Sequence, residues 1–383
     1  MTEAVIVMAK RTPIGKIGGV LSTIEPEVLL SSLIQHIVAS TKLPSDLIDD
    51  VIIGNVIGPG GNIARVASLE AGLPVTVPGV TIDRQCGSGL EAINIAARFI
   101  QSGAGEVYLA GGVESTSRAP WKMTKPVTLM GVPKLYTRAQ FTPNCYGDPD
   151  MGIAAENVAK HYEITREQQD IYSLKSHQKA IQYEQSGRFQ HEIVPIQVQG
   201  AWVNVDECPR ANTSLQKLQQ LKPVFLEQGT VTAGNACPLN DGAALVLIMS
   251  LEKCRELGLK PILRVVDAQT AGVDPNYLGI GPVPAVQKVL SRQHLTVDDL
   301  DIVEFNEAFA SQVLASLQEL RIPQKKVNLG GGALAIGHPY GASGAILMTR
   351  LCSEMQNKPY NRGLATLGIG GGIGIATLVE AVE

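Results

Sequence analysis

Residues 79–112 read GVTIDRQCGSGLEAINIAARFIQSGAGEVYLAGG. The run GVTID is a short strand that ends at a cysteine, and glycines then open a helix that is apolar or small on almost every side. After it EVYLAGG resumes as a strand. A helix without a polar stripe has no solvent face to offer, so this one is expected to lie buried between layers. Toward the N-terminus, EAVIVMA and DDVIIGNV read as strands, and PEVLLSSLIQHIVAS and NIARVASLEAG as helices, the first with Pro26 at its start. The last third repeats the order as ILRVVDA, VPAVQKVLSRQ, LDIVEF, NEAFASQVLASLQEL, KVNL, GASGAILMTRLCSEM and GLATLGI. Local wording recurs as well, LIDDVIIGN at 47–55 against VDDLDIVEFNE at 297–307. Such alternation predicts an α/β fold with mainly parallel sheets and crossover helices, in two similar halves spanning 1–250 and 256–383. Between the repeats, about residues 115–247 form a less regular excursion, and insertions of that length on an α/β core commonly build substrate sites.

The bulk numbers suit a globular chain: 383 residues, 45% apolar and 18% charged. A net charge of −4 argues against a general nucleic-acid or anionic-membrane surface. One segment departs from this. Ser115 to Gly147 carries Arg118, Lys122, Lys125, Lys134 and Arg138 and no acidic residue. Its plainer reading is a solvated or oligomer-facing loop, and its functional reading is attraction for a phosphorylated ligand. No apolar run reaches the roughly 18 residues of a membrane span. The opening MTEAVIVMAKRTP lacks a signal-peptide layout, and the closing VEAVE carries no targeting or lipidation motif. Six scattered cysteines, with no C-x-x-C pair and no ligand spacing with histidine, suit a reduced cytoplasmic chain with neither a disulfide frame nor a metal site.

Three places could carry chemistry. Cys86 stands at the start of a helix, where free N–H groups and the macrodipole favour a nucleophilic thiolate, although a small buried residue would also suit that place. Gly87 and Gly89 beside it permit close approach of another chain or a substrate. His338 lies in GGGALAIGHPYGASGAI, a glycine-rich loop before a helix at the equivalent place in the second half, and a neutral imidazole is the usual base for a thiol. Asn306 in EFNEAFA follows a strand; it reads either as an N-cap or as an amide that aims a water or a base at a carbonyl. Five glycines crowd residues 368–374, LGIGGGIGIA in context. They are not a dinucleotide fingerprint, because G-x-G-x-x-G would need glycine at Ile373 or Ile375 and a helix afterwards, whereas a terminal strand follows. A tight turn and an active-site wall remain.

Taken together, AVIVMAKRTPIGKIGG, DRQCGSGLEA, AGGVESTSRAP, MGIAAENVA, GTVTAGNACPLNDGAA, NEAFA and GGGALAIGHPYGASGA resemble the thiolase family along essentially the whole chain, close to its bacterial biosynthetic-type acetyl-CoA acetyltransferases. The resemblance implies a thiolase fold: two βαβαβαββ halves stacked in five layers, with a loop domain inserted in the first. It implies acyl transfer by a ping-pong route, with Cys86 as the nucleophile that becomes an acyl-thioester and His338 as its base. Asn306 holds a water that polarises the thioester oxygen, and the N–H groups of Cys86 and Gly370 form a second oxyanion site. Met151, Arg210, Phe225, Ala233 and Cys237 fall where the family contacts coenzyme A. Coenzyme A thioesters are substrates in this reading and no resident cofactor is expected. A homodimer or homotetramer is implied.

The departures narrow the question. Gly368 stands where the family has a second catalytic cysteine that moves the α-proton of an acyl-CoA, and losing such a base costs about 10²- to 10⁴-fold in rate. Asp150 replaces a frequent histidine on the pantetheine arm, and Cys237 replaces a usual serine. Cys237 is one candidate to stand in as the base, although its motif places it in the coenzyme A loop. Two further readings follow from Gly368: a decarboxylative, ketosynthase-like condensing enzyme that needs no α-proton base, and a degenerate or partner-dependent acyl-CoA-binding homologue.

Overall fold

The computed structural model describes residues 2–382. The first half is built from β1 (Ala4–Arg11), α1 (Pro26–Thr41), β2 (Asp50–Gly54), α2 (Ile63–Glu70), β3 (Gly79–Ile82), α3 (Ser88–Ser102) and β4 (Val107–Ser115). An excursion containing α4 (Met151–His161) and α5 (Arg166–Gln185) follows, and β5 (Asn240–Ser250) closes the half. The second half runs β6 (Leu263–Gly272), α6 (Pro282–Arg292), β7 (Ile302–Phe305), α7 (Ala310–Leu320), α8 (Tyr340–Asn357), β8 (Arg362–Ile369) and β9 (Ile373–Ala381).

The strands pair in the order β7-β8-β9-β6-β1-β5-β4-β2-β3, and the halves meet where β1 pairs with β6 at Val5–Arg264 and Ile6–Leu263. KVNL, expected as a strand, contributes only a bridge between Val303 and Val327. With that bridge counted as a third strand, both halves share one order: third, second, fourth, fifth, first. The expectation of mainly parallel sheets is corrected. Only β2–β3, β2–β4 and β7–β8 are parallel, while β1–β5, β4–β5, β6–β9, β8–β9 and β1–β6 are antiparallel. In the first half the excursion with α4 and α5 brings β5 back antiparallel to β4. β8 and β9 are joined by the three residues Gly370–Gly372, and a hairpin can only make antiparallel neighbours.

Side chains alternate across these strands with period two. On β5, Ala244, Val246 and Ile248 point to the cluster around α3 and α8, while Leu245, Leu247 and Met249 point to the cluster under α1 and α2. On β8, Ala365, Leu367 and Ile369 face the central cluster and Leu364 faces the one under α6 and α7. The result is five layers, with α3 and α8 between the two sheets and the other helices outside. Both faces of each sheet are covered, which is why the strands read as unbroken apolar runs. Each large aliphatic side chain so buried contributes about 1.5–3 kcal/mol. The central helices touch backbone to backbone: a Cβ at Gly89 would lie 2.6 Å from Gly341 O. That close approach puts the loops leading into α3 and α8, which carry Cys86 and His338, side by side.

In the excursion, the basic segment forms a two-stranded hairpin, Lys122–Thr124 with Lys134–Tyr136. Trp121, Val127, Leu129 and Met130 stand exposed on it. Of its cations, Arg118 pairs with Glu25, and Arg138 pairs with Asp148 and Asp150. Among the described residues no helix is long and apolar enough to cross a membrane.

Candidate active site

Cys86 is held by a backbone elbow. After β3, Asp83 Oδ1 accepts the Gln85 N–H at 2.7 Å, and Gln85 takes φ of 46°. A left-handed residue other than glycine costs about 1–2 kcal/mol. Ser88 anchors the bend by donating its hydroxyl to Gln85 O (2.6 Å) and accepting the Arg84 N–H (2.8 Å). Cys86 is left partly exposed just ahead of α3, and the Gly370 N–H faces its sulfur. Burial pushes the thiol up to about 11, outweighing the pull of the Gly370 N–H and of its own N–H, while Glu114 and Asp83 push it further. The expected thiolate at the helix start is thus corrected. Desolvation wins, so Cys86 rests as a thiol and needs a base.

His338 supplies the matching group. Its Nδ1 lies 2.5 Å from Ser343 Oγ, and Ser343 gives its own proton to Pro339 O at 3.0 Å. The serine oxygen must therefore accept from Nδ1–H, which leaves Nε2 unprotonated, an acceptor. The amide Nδ2 of Asn306 faces Nε2 at 3.4 Å. Burial lowers His338 to about 4, so the ring is neutral near pH 7. Asn240 Oδ1 fixes the loop by accepting the His338 backbone N–H at 2.8 Å.

Asn306 is not an N-cap. The helix expected to begin there starts at Ala310, with Phe309 as its cap residue. Backbone groups at the end of β7 are taken by other partners: Asn306 N–H donates to Thr366 O (3.0 Å), and Asn328 brackets Phe305 at both its N–H (2.7 Å) and C=O (2.8 Å). Next door, buried Glu307 collects Tyr172, Ser176, Asn328 and the Leu334 N–H. The Asn306 amide is free for the site because these neighbours do the structural work.

The glycine run is both a turn and a wall. Gly371 and Gly372 adopt φ of 84° and 78°, which closes the β8–β9 hairpin. Gly370 faces Cys86 on one side and Phe141 on the other, where a Cβ would lie 2.9 Å from the Phe141 ring. At Gly368 a Cβ would meet Gln312 Nε2 at 2.7 Å. Gln312 is buried and its Oε1 has no hydrogen-bond partner.

Of the residues assigned to coenzyme A, Phe225 packs against Gly152, next to Met151, and lies edge-on to Phe309 with centroids 6.4 Å apart. Cys237 sits beside the same strand end, its N–H donating to Ala308 O at 2.9 Å. Ala233 is exposed. Arg210 lies two residues past Cys208, whose sulfur accepts from Asn240, and its own N–H donates to His177. Sequence reasoning did not single out Ser343, Asn240, Gln312, Phe141 or Glu114. Ser343 alone had a local signal, five residues after His338 in the GHPYGASG run.

Two buried helices abut through glycine, with a thiol before one and a neutral imidazole before the other. The chain matches the N-terminal thiolase domain over residues 4–252 and the C-terminal thiolase domain over 259–381. It is 50% identical over 382 residues, 99% of each chain, to "Putative acetyl-CoA C-acetyltransferase VraB" of Staphylococcus epidermidis, and 50% identical over 380 residues to the protein of that name from Staphylococcus aureus. The crystal structure of the Bacillus anthracis acetyl-CoA acetyltransferase superposes with a TM-score of 0.94 at 41% identity, covering 100% of this chain and 99% of that one. The chain belongs to the thiolase family and is an acyltransferase.

Proposed function

We propose that the chain transfers acyl groups between coenzyme A thioesters by a ping-pong route through an acyl-Cys86 thioester. The observation that carries this is that the helices following Cys86 and His338 abut at Gly89 and Gly341, with the Gly370 N–H facing the Cys86 thiol and the neutral His338 turning Nε2 to Asn306. His338 Nε2 takes the Cys86 proton as the sulfur attacks the thioester carbonyl, and then returns it to the departing coenzyme A thiolate. By itself that proton transfer is uphill, because burial disfavours both charges. It becomes favourable as the carbonyl oxygen gains charge that N–H donors can hold in place. The coenzyme A arm approaches past Met151, Phe225, Ala233, Arg210 and Cys237, with Asp150 turned aside to Arg138 at 3.2 Å. The chain acts as a homodimer or homotetramer. In support, the hairpin exposes Val127 and Leu129 completely, and contiguous exposed apolar surface of this kind marks an interaction face.

The test is intact-protein mass after incubation with acetyl-CoA, with peptide mapping, alongside coenzyme A-dependent cleavage of acetoacetyl-CoA. An acetyl adduct on Cys86 is expected. No adduct under saturating acetyl-CoA overturns the reading, and an extended product formed from malonyl-CoA but not from acetyl-CoA replaces it with a decarboxylative one.

A further inference from the structure

Thiolase-type cleavage leaves an enolate carbon that must be protonated, and position 368 cannot do it. The space a Gly368 side chain would occupy is met by Gln312 Nε2 at 2.7 Å, Gly279 O at 3.4 Å and Leu278 O at 3.5 Å. An amide and two carbonyls do not exchange protons at neutral pH. A second thiol is present elsewhere in the site. Residues 236–240 run between the loops that carry Asn306 and His338. Ala236 bridges Phe309, the Cys237 N–H donates to Ala308 O at 2.9 Å, Leu239 bridges His338, and Asn240 Oδ1 accepts the His338 N–H at 2.8 Å. Cys237 is thus laced between both catalytic loops, two residues from the bridge to His338. It is partly exposed, whereas Cys254 and Cys352 are buried.

We propose that Cys237 is the catalytic residue that exchanges the α-proton in place of a group at position 368, an inference that rests on the thiolase reading above. In the cleavage direction the Cys86 proton passes to His338 Nε2 and the sulfur adds to the C3 carbonyl of the 3-ketoacyl-CoA. The C2–C3 bond breaks with its electron pair left on C2. The Cys237 S–H proton goes to C2, giving acetyl-CoA and acyl-Cys86. The Cys237 thiolate then takes the proton held on His338, so that the Cys86 proton ends on Cys237. Condensation is the reverse, with the Cys237 thiolate removing the α-proton. The environment suits the acid role. Burial holds the Cys237 thiol well above its ordinary value and a charged Cys86 raises it further, while Tyr340 is raised by burial first and then by the same two sulfurs. A thiol kept protonated is a ready donor to a carbanion.

The test separates the two half-reactions. Wild type and Cys237→Ser are incubated with acetyl-CoA in D₂O; deuterium at C2 is read by mass spectrometry and acetylation of Cys86 by peptide mapping. Serine preserves the size and hydrogen-bonding capacity of the side chain but is far less acidic. Exchange and acetoacetyl-CoA cleavage are expected to fall about 10²- to 10⁴-fold, exceeding any loss of Cys86 acylation by about 10²-fold. Gly368→Cys in the Cys237→Ser background is expected to regain at least tenfold, the Gln312 side chain swinging aside. Unchanged exchange in Cys237→Ser, a parallel fall of exchange and acylation, or a loss that follows Tyr340→Phe instead would each overturn the assignment. Absence of a Cys86 adduct in the wild type would instead remove the thiolase reading itself.

Discussion

The two halves of the chain place equivalent residues in equivalent frames and use them oppositely. Gly54 on β2 pairs with Gly112 on β4, as Phe305 on β7 pairs with Thr366 on β8. One residue past each second strand stands an asparagine, Asn55 or Asn306, and two residues past each paired position on the fourth strand stands Glu114 or Gly368. In the first half the two join: Asn55 Nδ2 donates to Glu114 Oε1 at 2.9 Å, and Glu114 also accepts the N–H groups of Val56 (3.1 Å), Ile57 (3.2 Å) and Gly341 (3.1 Å). In the second half, Asn306 turns to His338 and Gly368 offers no side chain. One copy of the frame is filled by a clamp and the other is left open for chemistry. The clamp also crosses between halves, since Gly341 lies in the first turn of the helix that follows His338. A repeated scaffold lets one half hold the catalytic loop of the other.

The largest effect should come from the loops before the central helices. Cys86→Ala is expected to abolish the acyl adduct and to lower cleavage on the order of 10⁵-fold or more, read by single-turnover kinetics. His338 occupies the equivalent loop and, in the proposed mechanism, acts only on protons, so His338→Asn should cost about 10²- to 10⁴-fold and still allow a slow adduct. Equal losses for the two variants would break the division of labour between the loops.

The clamp should answer in stability rather than chemistry. Glu114→Ala strands four N–H donors that now share one carboxylate, and is expected to destabilise by about 3–5 kcal/mol in urea unfolding. Gly368→Ala, at the equivalent position, needs only the free end of Gln312 to move and should cost less than about 1 kcal/mol. Similar costs at the two positions would mean that the halves are not used differently.

What was legible in sequence follows the same divide. Cys86 and His338 stood out because a strand–helix joint flanked by glycine is a local pattern. Asn306 was found by type, but its local structure was misjudged, since Thr366 O takes its N–H and the helix is delayed to Ala310. The strand directions were misread for a related reason: the partners of β1 and β6 lie far along the chain, and a run of apolar residues does not say which neighbour it will meet. Glu114 and Gly341 are 227 residues apart, and His338 and Asn240 are 98 apart. No window of sequence shows such pairs. They arise from the register of the sheets and from the contact of α3 with α8.

The pH dependence is the sharpest test of the comparison, because the two halves carry opposite signs. Burial lowers His338 to about 4 from an unfolded value near 6.5. Its contribution to stability is therefore complete above about pH 6.5 and is lost as pH falls through the folded value. Burial pushes Glu114 up to about 7, against the opposing pull of the Ile57, Gly341 and Val56 N–H groups. A carboxyl raised above its unfolded value near 4.5 contributes fully below that value, and the contribution is lost as pH rises through about 7. Between about pH 4.5 and 6.5 the two nearly cancel. Measured as differences from wild type, which removes every shared group, the urea stability of His338→Asn should fall more steeply with rising pH. That of Glu114→Gln should fall more steeply with falling pH, each by up to about 1.4 kcal/mol per pH unit. Slopes of the same sign would show that the clamp and the catalytic frame do not differ electrostatically.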